Sequence, residues 1–150
     1  MIQDLVNYVD TDFALCTQWD GFIVNNEMYS DEFFNYDYIG AVWDWNDEKS
    51  VGNGGFSLRS KRFLEESSQL PIKNFHPEDV ALCRVYRNLL VEKGIKFAPK
   101  EIARRFSFEG NSLVGHKWNG QTWGFHDLQQ SDMSSWSGYK KFMETCTLDY

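Results

Sequence analysis

The sequence predicts a single α/β domain built on a mixed sheet, and three observations carry that expectation. Short apolar runs bounded by polar residues recur along the chain, as at Phe13-Ala14-Leu15-Cys16 and Tyr38-Ile39-Gly40-Ala41, which suits strands buried within a sheet. The segment from Pro77 to Lys93 has a helical period, with Leu82, Val85, Tyr86, Leu89 and Leu90 on one stripe. Strand-like and helix-like stretches then alternate in order. A chain of 150 residues, 42% hydrophobic and 25% charged, fits one globular domain.

Taken in order, Ile2 to Val9 reads as the end of an amphipathic helix, with Ile2, Leu5, Val6 and Val9 on one face. Phe13 to Cys16 reads as a strand buried on both faces, broken by Gln18-Trp19-Asp20-Gly21 and followed by a second short strand, Phe22-Ile23-Val24. Asn25 to Asp37 alternates acids with aromatics and reads as a short helix or loop. Tyr38 to Ala41 is strand-like, and Trp43 to Gly55 is a polar, glycine-rich loop. Phe56-Ser57-Leu58 is a strand, and Ser60 caps a helix running to about Ser68. In the Pro77 helix, Pro77 suits the first helical position, Glu78 and Asp79 oppose the positive end of the dipole, and Gly94 ends the element. Ile95-Lys96-Phe97 reads as a strand and Pro99 to Arg104 as a short helix. From Gly110 onward the chain is rich in Gly, Trp, Ser and Asn with little period.

The formal net charge of −7 opposes a nucleic-acid partner, because duplexes attract basic surfaces through counterion release. Two short basic clusters, Arg59-Lys61-Arg62 and Lys100-Arg104-Arg105, remain as places for an anionic small molecule. Aromatics make up 17% of the chain and often stand beside Gly, Asp and Asn, so they either line a groove or simply pack. The three cysteines, Cys16, Cys83 and Cys146, form no CxxC pair and are odd in number; Cys16 and Cys83 stand in apolar surroundings and read as buried thiols, which fits a reducing compartment. No apolar run has signal-peptide form or is long enough to span a bilayer, so the expected location is cytoplasmic.

Four places carry candidate chemistry. Asp20 follows a strand, where α/β folds set ligand-binding groups and where a carboxylate binds a hard cation; it also suits a plain turn ahead of Gly21. Gly52-Asn53-Gly54-Gly55 has neither the Walker nor the dinucleotide spacing. Its glycines permit positive φ and close approach, and its N–H groups are expected to face an oxygen-rich ligand. Glu78 and Asp79 pair two carboxylates at a helix start, as a general base or only as dipole partners. His126, in Trp123-Gly124-Phe125-His126-Asp127, is a metal or ligand contact or a lone histidine without a role. His76 reads as a helix cap, and His116 has no context. No nucleophilic triad signature or spaced zinc-ligand pair is present.

The order of these pieces is specific. The aspartate after a strand comes first, then Asp37-Tyr38-Ile39-Gly40-Ala41 with Trp43, then Gly52-Asn53-Gly54-Gly55-Phe56-Ser57-Leu58-Arg59-Ser60, His76-Pro77-Glu78-Asp79 and Gly124-Phe125-His126. From about Asp12 to Asp127 the chain resembles the DUF5672 family of glycosyltransferase-like proteins of GT-A type. The resemblance implies a mixed, mostly parallel sheet with flanking helices, like the C-terminal half of a GT-A glycosyltransferase domain. It implies transfer of a sugar from a nucleotide-sugar donor to a glycan-like acceptor with a divalent cation, Mn²⁺ or Mg²⁺. Asp20 and His126 are then the metal ligands, Asp79 or Glu78 the catalytic base, and Gly52, Asn53, Gly54, Gly55, Trp43 and Arg59 the substrate contacts. Gln18-Trp19-Asp20-Gly21 carries one acid where the GT-A motif carries two, which leaves the metal fewer protein ligands. Little precedes the Asp20 strand, so the half that grips the nucleotide is expected from a partner chain or homo-oligomer, unless the chain is a fragment or a reduced descendant. The alternative function is a non-catalytic module that binds a nucleotide or glycan.

Overall fold

The computed structural model describes residues 3–72, 77–110, 117–127 and 132–146; His76 and His116 lie outside them, as does Ile2 of the expected N-terminal helix. Among the described residues six strands form two small sheets. In the first, β4 (Phe56–Ser60) runs between β1 (Phe13–Thr17) and β3 (Tyr38–Ile39), antiparallel to both. In the second, β6 (Gly124–His126) lies between β2 (Phe22–Ile23), antiparallel, and β5 (Ser107–Glu109), parallel.

The mixed α/β class therefore holds, but the mostly parallel sheet does not describe these residues: three of the four strand pairings are antiparallel. Parallel neighbours need a crossover of roughly a dozen residues or more. The one parallel pair, β5 and β6, is joined by such a length, while β1 reaches β2 through the turn at Gln18–Gly21 and the long β3–β4 connection returns antiparallel. β1 is an edge strand rather than one buried on both faces, and Leu15 stays 38% exposed. β4 is buried at every position because both of its edges and both of its faces are covered.

The helix α1 (Lys61–Ser68) comes directly after β4, and the Ser60 hydroxyl accepts the Phe63 N–H at 3.0 Å, as a Ser cap should. The expected Pro77 helix is interrupted. It forms α2 (Glu78–Val80), a π turn over Ala81–Val85 closed by the Tyr86 N–H on the Ala81 carbonyl, and α3 (Arg87–Glu92). A π turn inserts an extra residue and rotates the next turns of helix about the axis. The apolar stripe is split as a result: Leu82 and Leu90 are buried while Val85 is 68% exposed. Gly94, at φ 84°, ends α3 in the left-handed conformation that a glycine adopts freely.

The helix α4 (Lys100–Phe106) leads into β5, and α5 (Tyr139–Cys146) closes the described chain. Leu5–Tyr8 and the acidic-aromatic stretch form short 3₁₀ turns. Ile95–Phe97 contributes a single bridge, Phe97 to Tyr38, instead of a strand. Between the sheets, Phe33, Phe56, Phe106 and Trp123 pack with ring centroids 5.2–6.0 Å apart. Each such pair contributes about 1 kcal/mol beyond its buried area. Much of the aromatic excess is thus core. No helix of the described residues is long and apolar enough to cross a membrane.

Candidate functional site

The glycine segment lies at the centre of the site, and the reason for its glycines differs from the expected one. None of Gly52, Gly54 and Gly55 takes a positive φ; within this segment Asn53 does, at 53°. The glycines are needed for space. A Cβ on Gly55 would stand 2.1 Å from His126 Nε2, and one on Gly54 would stand 2.6 Å from Glu78 Oε2. On Gly52 it would enter the Trp43 ring at 2.0 Å. Each side chain that rests on the segment is one the sequence marked as a candidate.

The N–H groups of the three glycines are bonded within the protein rather than presented to a ligand. Gly52 N–H donates to the Ala41 carbonyl (3.2 Å), Gly54 N–H to Asp79 Oδ2 (3.0 Å) and Gly55 N–H to Asn53 Oδ1 (2.9 Å). All four residues are buried. The backbone orders the side chains around it and leaves ligand contacts to them. Asn53 is a hub: its carbonyl accepts from Tyr38 Oη at 3.0 Å, and its amide nitrogen lies 3.3 Å from His126 Nδ1.

Two clusters of ionisable groups flank consecutive glycines. Against Gly54 lie Asp79, Glu78 and Arg59. Arg59, 3% exposed, donates Nη1 to Glu78 Oε1 at 2.5 Å and Nε to Ser57 Oγ at 3.0 Å. Burial opposes its charge, but the Tyr38 and Glu78 groups beside it outweigh burial and raise its pKa. Arg59 is therefore an internal charge partner, not the substrate contact expected, and Glu78 is committed to it. Asp79 is half-buried; its Oδ1 accepts the Val80 N–H at 2.8 Å and its Oδ2 the Gly54 N–H. Each oxygen keeps acceptor capacity.

Against Gly55 lie His126, Asp20, Gln18 and Glu109. The Gln18–Gly21 turn packs on this residue: the Gly55 carbonyl accepts the Gln18 N–H at 2.8 Å, and a Cβ on Gly21 would meet that carbonyl at 2.7 Å. This brings Asp20 Oδ1 to 3.5 Å and Gln18 Oε1 to 3.0 Å from His126 Nε2. On the other side of the ring, Glu109 Oε1 lies 3.6 Å from Nδ1. Parallel pairing of β5 and β6 puts Glu109 opposite His126, each closing its strand at the carboxyl end. Burial alone would hold the ring neutral; the Glu109 carboxylate, with the charges of Asp20 and Asp127, outweighs it and raises the His126 pKa.

Asp20 is 7% exposed, and its Oδ1 has no hydrogen-bond partner; neither has the buried Glu109 Oε2. Beside the site, a cavity of about 740 Å³ is lined by residues that include Trp43 and Glu109. Trp19, next to Asp20, is 69% exposed.

The structure thus brings Asp20, Gln18 and Glu109 together around His126 against Gly55, and Asp79, Glu78 and Arg59 together against Gly54; Asn53 and the glycines run between the two clusters, and Trp43 rests on Gly52. Sequence reasoning missed Glu109 and gave Gln18 no role. The signal for Glu109 is a carboxylate ending the apolar-bounded run Phe106-Ser107-Phe108, the same reasoning that selected Asp20. Comparison with curated proteins and with solved structures finds no match. Residues 6–126 match the family described as protein of unknown function (DUF5672), and the chain belongs to that family.

Proposed function

We propose that the chain is a GT-A-like glycosyltransferase that moves a sugar from a nucleotide-sugar donor to an acceptor hydroxyl. The observation that carries this reading is the buried Asp20 Oδ1, which makes no hydrogen bond and lies 3.5 Å from His126 Nε2. A buried carboxylate oxygen held only by a contact of that length is incompletely satisfied, and a cation bound between it and His126 would complete its coordination. Among the described residues no group of three or more His, Cys, Asp and Glu is arranged to hold a metal. Asp20 and His126, with the Gln18 amide oxygen beside them, are a two-residue anchor. That fits Mg²⁺ or Mn²⁺, which commonly takes one or two carboxylates and completes its shell from substrate phosphates and water. Glu109 on the far ring nitrogen orients the imidazole, as carboxylates do behind metal-bound histidines. The ion, when bound, neutralises charge on the leaving diphosphate.

Asp79 is the base. It takes the acceptor hydroxyl proton as that oxygen bonds to the anomeric carbon, and the bond from that carbon to the diphosphate oxygen breaks, its electron pair leaving with the diphosphate. Asp79 is preferred to Glu78 because the Glu78 charge is held by Arg59. A second reading, a module that binds nucleotide or glycan without turnover, is favoured by one fact: both Asp79 oxygens already accept an N–H. Thermal-shift screening against nucleotide sugars with and without Mn²⁺ tests the donor site. A Mn²⁺-dependent shift that disappears in Asp20→Ala supports it, and no shift with any donor counts against it.

A further inference from the structure

The cavity of about 740 Å³ beside the site combines three kinds of chemistry. Trp43 and Trp45 supply aromatic surface, with ring centroids 5.0 Å apart and planes inclined by 53°. Lys100 and Arg104, one turn apart on α4, supply positive charge. Asn119 and Gln121 add side-chain amides. We infer that this cavity is the acceptor subsite and that it takes an acidic saccharide, one whose ring carries a carboxylate, sulfate or phosphate.

The charge comes first. In a chain of net charge −7, a cavity wall with two adjacent cations is a local reversal, and it selects anions against the field of the rest of the surface. Arg105 also lines the cavity but is paired with Glu32, and Glu109 faces His126; Lys100 and Arg104 carry the selection, against Asp44 on the same wall and against Asp47 near Lys100, the Asp47 carboxylate being held by Arg84. The aromatic geometry then discriminates between ring types. The rings touch each other, with centroids 5.0 Å apart and planes inclined by 53°, so they form one bent aromatic wall, a corner with no parallel pair of faces to sandwich a planar base. A corner suits the C–H faces of a puckered sugar, and amides suit its hydroxyls. The stem of the corner is fixed: Trp43 rests on Gly52, and the Arg84 guanidinium covers Trp45 at 3.6 Å from its centroid. Glu109 lines the cavity and faces His126, and Trp43 lines it and rests on Gly52, so the cavity adjoins the proposed transfer site on its His126 side.

The assignment to an acceptor rests on the proposed glycosyl transfer, but saccharide binding is measurable without a donor. The probes are a glucuronate-containing tetrasaccharide, a sulfated tetrasaccharide, a neutral glucose tetrasaccharide and uridine diphosphate, each titrated by calorimetry at low salt. At least one acidic tetrasaccharide is expected to bind at least tenfold more tightly than the neutral one, and which one it is tells carboxylate from sulfate. The double variant Lys100→Ala, Arg104→Ala is expected to reduce acidic binding to the neutral level. Equal binding of acidic and neutral probes, no binding of either acidic probe, or an acidic preference that survives the double variant overturns the inference. Loss in the double variant of uridine diphosphate binding alone identifies a nucleotide site and overturns it too. Acidic binding without donor turnover leaves the cavity's specificity standing and removes only the transfer reading.

Discussion

Replacing Gly55 by Ala tests whether the glycine segment exists to let His126 close onto it. The added Cβ would stand 2.1 Å from His126 Nε2 and 2.2 Å from Cδ2, and the obstacle is a ring rather than the end of a flexible chain. Ordinary carbon contacts lie near 3.5–4.0 Å, so the ring must retreat by roughly 1.5 Å. Overpacking of this kind costs about 1–3 kcal/mol. The retreat also breaks the contacts of His126 with Gln18 at 3.0 Å and Asn53 at 3.3 Å, each worth about 1 kcal/mol. The expected loss is about 3–5 kcal/mol, large against the ~5–15 kcal/mol of a typical domain. The control is Gly120→Ala, where nothing lies within 4 Å of the new Cβ and only the backbone at φ 82° is strained, for about 1–2 kcal/mol. Urea unfolding gives both stabilities, and the imidazole C–H resonances report the ring. If Gly55→Ala unfolds within about 0.5 kcal/mol of the parent and leaves the His126 signals in place, the close approach is not what constrains this position.

The same geometry sets three further outcomes. Glu78→Ala leaves Arg59 buried without its carboxylate partner and is expected to cost about 3 kcal/mol in urea unfolding; a loss below 1 kcal/mol would mean water or another acid replaces Glu78. Asp20→Asn keeps the side-chain volume but removes the charge beside His126, so Mn²⁺ should raise the melting temperature of the parent and not of the variant; equal shifts would place the ion elsewhere. The Cys83 thiol is pushed up to about 12 by burial, from 9.0, so it should resist iodoacetamide at pH 8 until the chain unfolds. Because its folded pKa is the higher one, its stabilising share is complete below pH 9 and falls as pH rises toward 12, by about 1.4 kcal/mol per pH unit. Rapid native alkylation of Cys83, read by mass spectrometry, contradicts that burial.

Local signals in the sequence proved reliable where one residue decides the structure. Ser60 caps α1, Gly94 ends α3, and Phe56 opens a strand. Signals that depend on partners far along the chain were not legible. The three-residue strands β5 and β6 are too short to show a period, and each exists because the other is there. The π turn at Ala81–Val85 interrupts a stripe that reads as one continuous helix, and no proline or glycine marks the place. At the site, residue types pointed to Asp20, Asp79, His126 and the glycines, but their roles needed the fold. Gly54 and Gly55 serve side chains 25 and 71 residues away, and Arg59 proved an internal partner because Glu78 reaches it from a helix start.

The central claim is that Asp79, which accepts the Gly54 N–H one residue before the glycine on which His126 rests, accepts the proton in sugar transfer. The most direct measurement is turnover of the donor that stabilises the protein in thermal-shift screening, with Mn²⁺ and acceptor present, comparing the parent with Asp79→Asn. Asparagine keeps the volume but cannot take the proton. The expected result is turnover by the parent and a fall of about 10²–10⁴-fold in the variant, the usual worth of a general base, with donor binding unchanged. Turnover that persists within a few-fold in Asp79→Asn, or a parent that binds donor and never turns it over, contradicts the claim.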